Sequence, residues 1–114
     1  DAENRNLANP SSMDFLAVAG GIEDHASNLP LAASKALQIV DNLRYMLGIE
    51  LIHAAQAVDL RAHPSLGRVT SPVYRGFRET VPFYSEDRNI SVDIQKAYSF
   101  VSSGQMLRII NDSL

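Results

Sequence analysis

The sequence predicts an all-α fold in which one long helix forms part of a larger helical bundle. Three observations lead to this prediction. Beyond its first turn, the stretch 29–62 contains no helix breaker except Gly48, which costs only about 1 kcal/mol inside a helix. Apolar side chains recur along this stretch at helical spacing. No segment shows the strict apolar–polar alternation that is typical of a half-buried strand.

Composition and charge limit the class of protein. The 114 residues suffice for one domain of modest size, and 46% hydrophobic with 20% charged residues is typical of a globular protein. The net charge of −3, with both signs mixed along the chain, argues against nucleic acid or an anionic membrane as a partner. The absence of cysteine excludes a disulfide framework and a thiolate metal site. No apolar run approaches the roughly 20 residues that cross a bilayer, so we expect a soluble, cytoplasmic protein.

Residues 1–28 are predicted to be irregular, because Pro10 and the pair Gly20–Gly21 interrupt any periodicity. This segment carries three consecutive titratable side chains, Glu23, Asp24 and His25. A charged turn accounts for the acidic ones, since the partial positive charge of a helix N-terminus stabilises them. Alternatively, a poorly solvated carboxylate beside the glycines and Ile22 has a raised pKa and can transfer a proton or bind a cation. A metal site is disfavoured, because adjacent side chains rarely point at one ion.

The long helix at 29–62 has a wide apolar surface. Ser27 or Asn28 can cap its first turn, which accommodates Pro30, and Pro64 ends it. One apolar stripe consists of Val40, Leu43, Leu47, Leu51, Ala54 and Val58. A neighbouring stripe consists of Ile39, Met46, Ile49 and Leu60. Together they cover more than half the circumference of a rod about 45 Å long. We expect the cover for this surface to come from a longer chain or from other subunits.

Shorter helices are predicted in the remaining part, 63–114. Ser71 and Pro72 open a helix that runs to about Thr80, and Pro82 ends it. Ser91 caps the next helix, in which Asp93 favours the helix dipole, and Gly104 stops it before a last short helix. The run Glu86-Asp87-Arg88 is interpreted as a solvated or locally salt-bridged turn that contributes little energy, and His53 as a hydrogen-bonded packing residue of the long helix.

Three segments of the chain carry longer motifs in a fixed order. Residues 22–61 contain Glu23-Asp24-His25-Ala26-Ser27, then Ile49-Glu50-Leu51, then Ala54-Ala55-Gln56-Ala57-Val58-Asp59-Leu60-Arg61. Residues 3–14 read ENRNLANPSSMD, and residues 81–94 read VPFYSEDRNISVDI. With these motifs the chain resembles the histidine ammonia-lyase family along nearly its whole length.

The resemblance implies a long-helix bundle of the fumarase/ammonia-lyase type, shared by four subunits of a homotetramer. It also implies elimination of ammonia from a small aromatic amino acid, such as histidine to give urocanate. The family's prosthetic group, methylidene-imidazolone, forms from an internal Ala-Ser-Gly that these residues lack. Because the chain also starts at Asp1 rather than at a methionine, we expect it to be the C-terminal fragment of such an enzyme. The prosthetic group is then expected in the missing N-terminal part, and the fragment alone is expected to be inactive.

Site residues follow from the same resemblance. Glu23 matches a glutamate that lines the family's active site, where it contacts the imidazole or amine of the substrate. Asp24 and Ser27 are expected to support it, to bind substrate or to cap the helix. The histidine enzymes usually have Asn-Gln before this glutamate, whereas this chain has Gly21-Ile22. An aromatic amino acid aminomutase, or a tyrosine or phenylalanine lyase, therefore stays open, as does a non-catalytic helical oligomerisation module.

Overall fold

The computed structural model describes residues 1–13, 17, 19–22, 27–61 and 64–114. All regular structure in these residues is helical, which confirms the all-α prediction. The α-helices are α1 (Ala2–Leu7), α2 (Leu29–Leu60), α3 (Thr70–Thr80), α4 (Ile90–Ser102) and α5 (Gln105–Asp112). Short 3₁₀ turns occupy Ser11–Met13 and Ala19–Gly21. The chain divides into two compact units, Asp1–Asn42 and Leu43–Leu114.

The first unit, Asp1–Asn42, is joined by polar contacts between α1, the following turn and the start of α2. Gln38 donates to Glu3 at 3.0 Å, and Asn42 donates to Asn4 at 2.8 Å. Helix α1 forms where the sequence predicted an irregular segment. The cause is partly local, since Asp1 and Arg5 pair across one turn at 2.9 Å. It is also tertiary, because these hydrogen bonds hold α1 against α2.

The second unit, Leu43–Leu114, contains a small apolar core. Its buried members come from α2, α3 with the residue that follows it, and α4: Ile52, Ala55, Phe77, Val81, Ala97 and Phe100. The rings of Phe77 and Phe100 meet edge to face with centroids 5.5 Å apart. Gly48 lets α2 approach α4, since a Cβ there would lie 3.0 Å from the backbone nitrogen of Tyr98. The core therefore fixes the second half of α2 against α4.

Helix α2 keeps much of its apolar surface exposed. It has 32 residues, close to the predicted range, and buries only Gly48, Ile52 and Ala55. Leu37 is 72% exposed and Leu47 is 46% exposed. This confirms that the described residues of the chain do not cover the apolar stripes, whereas the source of a cover stays a prediction.

Two predicted helix starts were wrong by two residues, because Ser71 and Ser91 were expected as caps, whereas Val69 and Asn89 hold these positions. Helix α3 begins at Thr70, before Ser71, because Ser71 N–H already bonds to the carbonyl of Gly67 at 2.9 Å. Helix α4 begins at Ile90, because Asn89 rather than Ser91 provides the cap: its side-chain oxygen accepts from Ser91 N–H at 3.1 Å.

The predicted helix ends were confirmed. Helix α3 stops at Thr80, and Val81 is extended, as the residue before Pro82 must be. Gly104 adopts a left-handed φ of 75° and separates α4 from the predicted last helix, α5.

Candidate functional site

The predicted site lies in the segment that leads into α2. Glu23 and Asp24 fall outside the described residues, as does His25, so their predicted roles stay predictions. Ser27 is described and exposed. The described residues on either side of Glu23, Asp24 and His25 are 19–22 and 27–28, and they belong to the first unit.

The backbone before Glu23 has an unusual conformation. Ala19, Gly20 and Gly21 all have left-handed φ angles, of 52°, 68° and 87°. Glycine adopts this region freely, whereas alanine pays a penalty of about 1 kcal/mol or more. A Cβ added at either glycine would meet no atom within 4 Å. Ile22 follows with 86% of its surface exposed. Within the described residues, this backbone is open to the close approach of another group.

The backbone after Ser27 is held by Asn28, which has a left-handed φ of 48°. Its side-chain amide donates to the carbonyl of Ser11 at 2.9 Å, and Ser11 is only 6% exposed. The carbonyl of Asn28 accepts the first helical bond of α2, from Ala32 N–H at 2.9 Å. Asn28 is thus hydrogen-bonded both to Ser11 and to the first turn of α2. The sequence proposed Asn28 only as a possible cap and did not predict the bond to Ser11.

An open cavity of about 320 Å³ lies beside the same elements. It is lined by Asn6, Asn9, Pro10, Met13 and Lys35. The Lys35 ammonium donates to the carbonyl of Asn9 at 3.1 Å. These amide and ammonium groups can donate hydrogen bonds to an anionic group.

A polar cluster in the second unit joins α2 to α3. Arg78 pairs with Asp59 at 2.5 Å, and the Tyr74 hydroxyl donates to the other carboxylate oxygen of Asp59. The bond to Asp59, together with burial and the negative charge of Asp59, raises the pKa of Tyr74 above its usual 10.0. Arg78 also donates to the carbonyl of Val81 at 3.1 Å. In the sequence, Asp59 stands inside a long motif, but nothing there indicates Tyr74 or Arg78 as its partners.

A second polar cluster lies at the turn Glu86-Asp87-Arg88, which was predicted to be solvated or locally salt-bridged. Glu86 and Asp87 are exposed and Arg88 forms a local salt bridge, which confirms the prediction. Arg88 donates to Asp93 at 2.7 Å, and Asp93 is 3% exposed. Arg88 also donates to the carbonyls of Phe83 and Pro82, each at 3.0 Å, and lies 4.8 Å from the centre of the Tyr84 ring. Asp93 lies in the first turn of α4, where it was predicted to favour the helix dipole, and it also anchors the connection between α3 and α4 through Arg88.

Among the described residues, His53 is exposed and no metal-binding cluster is found. His53 is hydrogen-bonded to the carbonyl of Ile49 at 2.8 Å, but it is exposed rather than packed, which corrects part of its interpretation. Across the described ranges, no three His, Cys, Asp or Glu side chains cluster in a way that could hold a metal ion. Within the same ranges, no helix is both long and apolar enough to span a bilayer.

The comparisons with known proteins agree on one family. The family described as "Aromatic amino acid lyase" matches residues 1–79. The histidine ammonia-lyase of Anaeromyxobacter sp. (strain K) is 43% identical over 103 residues, which are 90% of this chain and 20% of that protein.

Two solved structures are also similar. One is the ergothioneine-degrading enzyme ergothionase from Treponema denticola, in complex with desmethyl-ergothioneine sulfonic acid. It is 58% identical with a TM-score of 0.88, over 93% of this chain and 21% of that one. The other is tyrosine aminomutase from Streptomyces globisporus, 30% identical with a TM-score of 0.91, over 98% of this chain and 21% of that one. The chain spans about a fifth of the length of these relatives.

Proposed function

Because the chain belongs to the aromatic amino acid lyase family, we propose that the whole protein eliminates the α-amine from a histidine-related substrate, and that ergothioneine is its preferred substrate. The observation that carries this proposal is the 58% identity to ergothionase, compared with 43% to the histidine ammonia-lyase. The replacement of Asn-Gln by Gly21-Ile22 before Glu23 supports it, because this change removes two amides that the histidine enzymes usually have at this place.

The proposed reaction is an α,β-elimination. A base, proposed to come from outside this chain, takes a proton from the carbon next to the ring. The electrons of that C–H bond form a double bond between the two carbons, and the amine leaves the α-carbon with its bonding electrons. Ergothioneine is the trimethylated betaine of a thiol-substituted histidine, so its leaving group is a neutral trimethylamine. Glu23 is proposed to bind a cationic group of the substrate, because a carboxylate in a poorly solvated site favours a cation. The family's prosthetic group, an electrophile, is proposed to come from outside this chain, since these residues contain no Ala-Ser-Gly.

The test is turnover by the whole protein with ergothioneine, histidine and tyrosine as separate substrates. The ultraviolet absorbance of the conjugated product gives the rate, and the released amine is identified as trimethylamine or ammonia. The proposal predicts the highest kcat/KM for ergothioneine with release of trimethylamine. A higher kcat/KM for histidine would replace it with a histidine lyase, and turnover of none of the three would reject the function.

Glu23 is tested in the same assay. We expect Glu23→Gln to lower kcat/KM by about 10² or more, because the substitution removes the charge while keeping the shape. Glu86→Gln is the matched control, since Glu86 is exposed in the connection between α3 and α4. Equal rates for the two variants would remove Glu23 from the site.

One alternative is favoured by a specific observation. The similarity to tyrosine aminomutase supports an enzyme that moves the amine of tyrosine instead of releasing it. Chromatographic detection of a β-amino acid from tyrosine, without free ammonia, would establish this alternative. A non-catalytic helical oligomerisation module is the remaining candidate, and turnover of any of the three substrates by the whole protein would exclude it.

The assembly and location of the whole protein are proposals as well. We propose a cytoplasmic homo-oligomer, a tetramer by the family resemblance, in which the rest of the chain and the other subunits cover α2. The isolated 114 residues are proposed to be inactive, because they contain no Ala-Ser-Gly.

A further inference from the structure

We propose that a second copy of this chain packs antiparallel against α2, so that Glu50 of each copy binds Arg61 of the other. The contact is formed by one side of α2 and the residue that follows it. This surface, the 50–61 face, consists of Glu50, Ala54, Ala57 and Arg61, whose three- and four-residue spacing places them on one side of a helix. The inference specifies one contact of the proposed homo-oligomer, and it does not depend on the substrate.

The 50–61 face belongs to the second unit, and all four of its residues are exposed. At about 100° per residue, the core residue Ile52 lies roughly 160° around α2 from Ala54, so the face is on the opposite side of the helix. Arg61 follows the last residue of α2, and its N–H donates to the carbonyl of Ala57 at 3.2 Å, which continues the helical pattern. The face is therefore a continuous open strip with about 16 Å between its two charged ends.

The charges at the two ends of the face have no partner among the described residues. In this part of the chain, no hydrogen bond or ion pair forms to the Glu50 carboxylate or to the Arg61 guanidinium. By contrast, Arg78 on the neighbouring helix α3 is paired with Asp59. The face thus has an acceptor at one end and a set of donors at the other, with only alanine methyl groups between them.

The order of these residues makes the face complementary to itself. An antiparallel pair of helices, related by a two-fold axis through the midpoint of the face, places Glu50 opposite Arg61 twice and Ala54 opposite Ala57 twice. Parallel pairing would place Glu50 against Glu50 and Arg61 against Arg61, which like-charge repulsion disfavours. The small alanines in the middle let the two helices approach to about 8 Å. The charges therefore select the antiparallel arrangement and fix its register.

An apolar side chain beside the face supports the same arrangement. Leu60 borders the 50–61 face and keeps 73% of its surface exposed. In the antiparallel pair it lies against the side of the second helix, and the two-fold symmetry repeats this contact. Removing this apolar surface from water favours association, in addition to the two ion pairs.

The experiment measures the dissociation constant of the whole protein's assembly, by analytical ultracentrifugation over a dilution series. Glu50→Arg and Arg61→Glu each place like charges opposite one another in both symmetric contacts. Each should therefore raise the dissociation constant by about tenfold or more. The double variant, Glu50→Arg with Arg61→Glu, exchanges the charges and restores opposite pairs, so it should assemble like the unchanged protein. A merely local effect of each substitution on folding would add up in the double variant instead of cancelling.

Glu86→Arg is the matched control, because it reverses an exposed carboxylate outside the face and should leave the dissociation constant unchanged. Glu50→Gln and Arg61→Gln keep the test decisive if a reversed variant fails to fold, since they delete the charge without repulsion and should weaken assembly by a smaller factor.

Three outcomes would overturn the proposal: single reversals that assemble like Glu86→Arg, a double variant no better than the single ones, or a whole protein that is monomeric at all concentrations. In the first two cases, a segment of the remaining chain would cover the face. Rescue by the double variant in a protein that turns over none of the three substrates would reject the proposed function and leave this contact in place.

Discussion

Gly48 shows how a single missing side chain sets the distance between two helices. A Cβ at this position would lie 3.0 Å from the backbone nitrogen of Tyr98 and 3.1 Å from the carbonyl carbon of Ala97. Backbone atoms inside a helix cannot move aside without moving α4. From the sequence alone, Gly48 was interpreted only as a residue of low helix propensity that the long helix tolerates.

We expect Gly48→Ala to lower the free energy of unfolding by about 1–2 kcal/mol, because the clash outweighs the better helix propensity of alanine. Gly76→Ala is the matched control. Its Cβ would come closer than 3 Å only to Ile109 Cδ1, at 2.6 Å, which is the far end of a flexible side chain and can shift. The effect of Gly76→Ala should therefore stay below about 1 kcal/mol. Denaturant unfolding measures both, and a Gly48→Ala variant as stable as Gly76→Ala would contradict the close crossing.

Tyr74 gives a prediction about pH. Its pKa is raised in the folded protein, chiefly by its bond to Asp59, so the folded state holds the phenolic proton more tightly than the unfolded state. This contribution is complete below the unfolded pKa of 10.0 and is lost as pH rises through the folded pKa. Phenylalanine has no phenolic proton, so the stability of Tyr74→Phe does not include this contribution at any pH.

The stability gap between the unchanged protein and Tyr74→Phe should therefore narrow as pH rises above about 10. Urea unfolding at several pH values measures the gap, with Tyr45→Phe as a control for general alkaline effects. A gap that stays constant to high pH would show that the Tyr74 hydroxyl bond does not depend on the proton.

At the scale of elements, the connection between α3 and α4 is fixed by one arginine. Arg88 binds the buried Asp93 and two backbone carbonyls of the connection. We expect Arg88→Ala to lower the free energy of unfolding by about 2–3 kcal/mol, since the Asp93 carboxylate loses its partner, although the 31% exposure of Arg88 lets water replace part of it.

Arg5→Ala provides the comparison for Arg88→Ala. Arg5 and Asp1 form an exposed pair within α1, with 78% and 71% of their side chains in solvent, so its loss should cost well under about 1 kcal/mol. Thermal unfolding ranks the two variants. An equal effect of the two substitutions would mean that Arg88 does not anchor the connection.

Local chemistry explains which elements were predictable. The span of α2 and the ends of α3 and α4 depend on proline, glycine and apolar spacing, which the sequence displays directly. Helix α1, the cap by Asn89 and the pair Arg88–Asp93 depend on which side chains meet in three dimensions. In the site, Ser27 was predicted and is exposed, whereas the anchor of Asn28 on Ser11 joins residues 17 positions apart and has no sequence signature.

At the scale of the whole molecule, the main feature of the described residues is the exposed apolar surface of α2. In the second unit, two open apolar cavities lie along α2. Leu51 and Ala54 line the one beside α3, and Leu47, Leu51 and Ala54 line the one beside α5. Burying such side chains contributes roughly 25 cal/mol per Å². We infer that the rest of a longer lyase covers them, as the family's greater length suggests.

Native mass spectrometry of the isolated 114 residues tests this inference most directly. If α2 is an interior helix of a larger lyase, the isolated chain should self-associate into several oligomers through its exposed apolar surface. A single monomeric species at all concentrations would contradict the account.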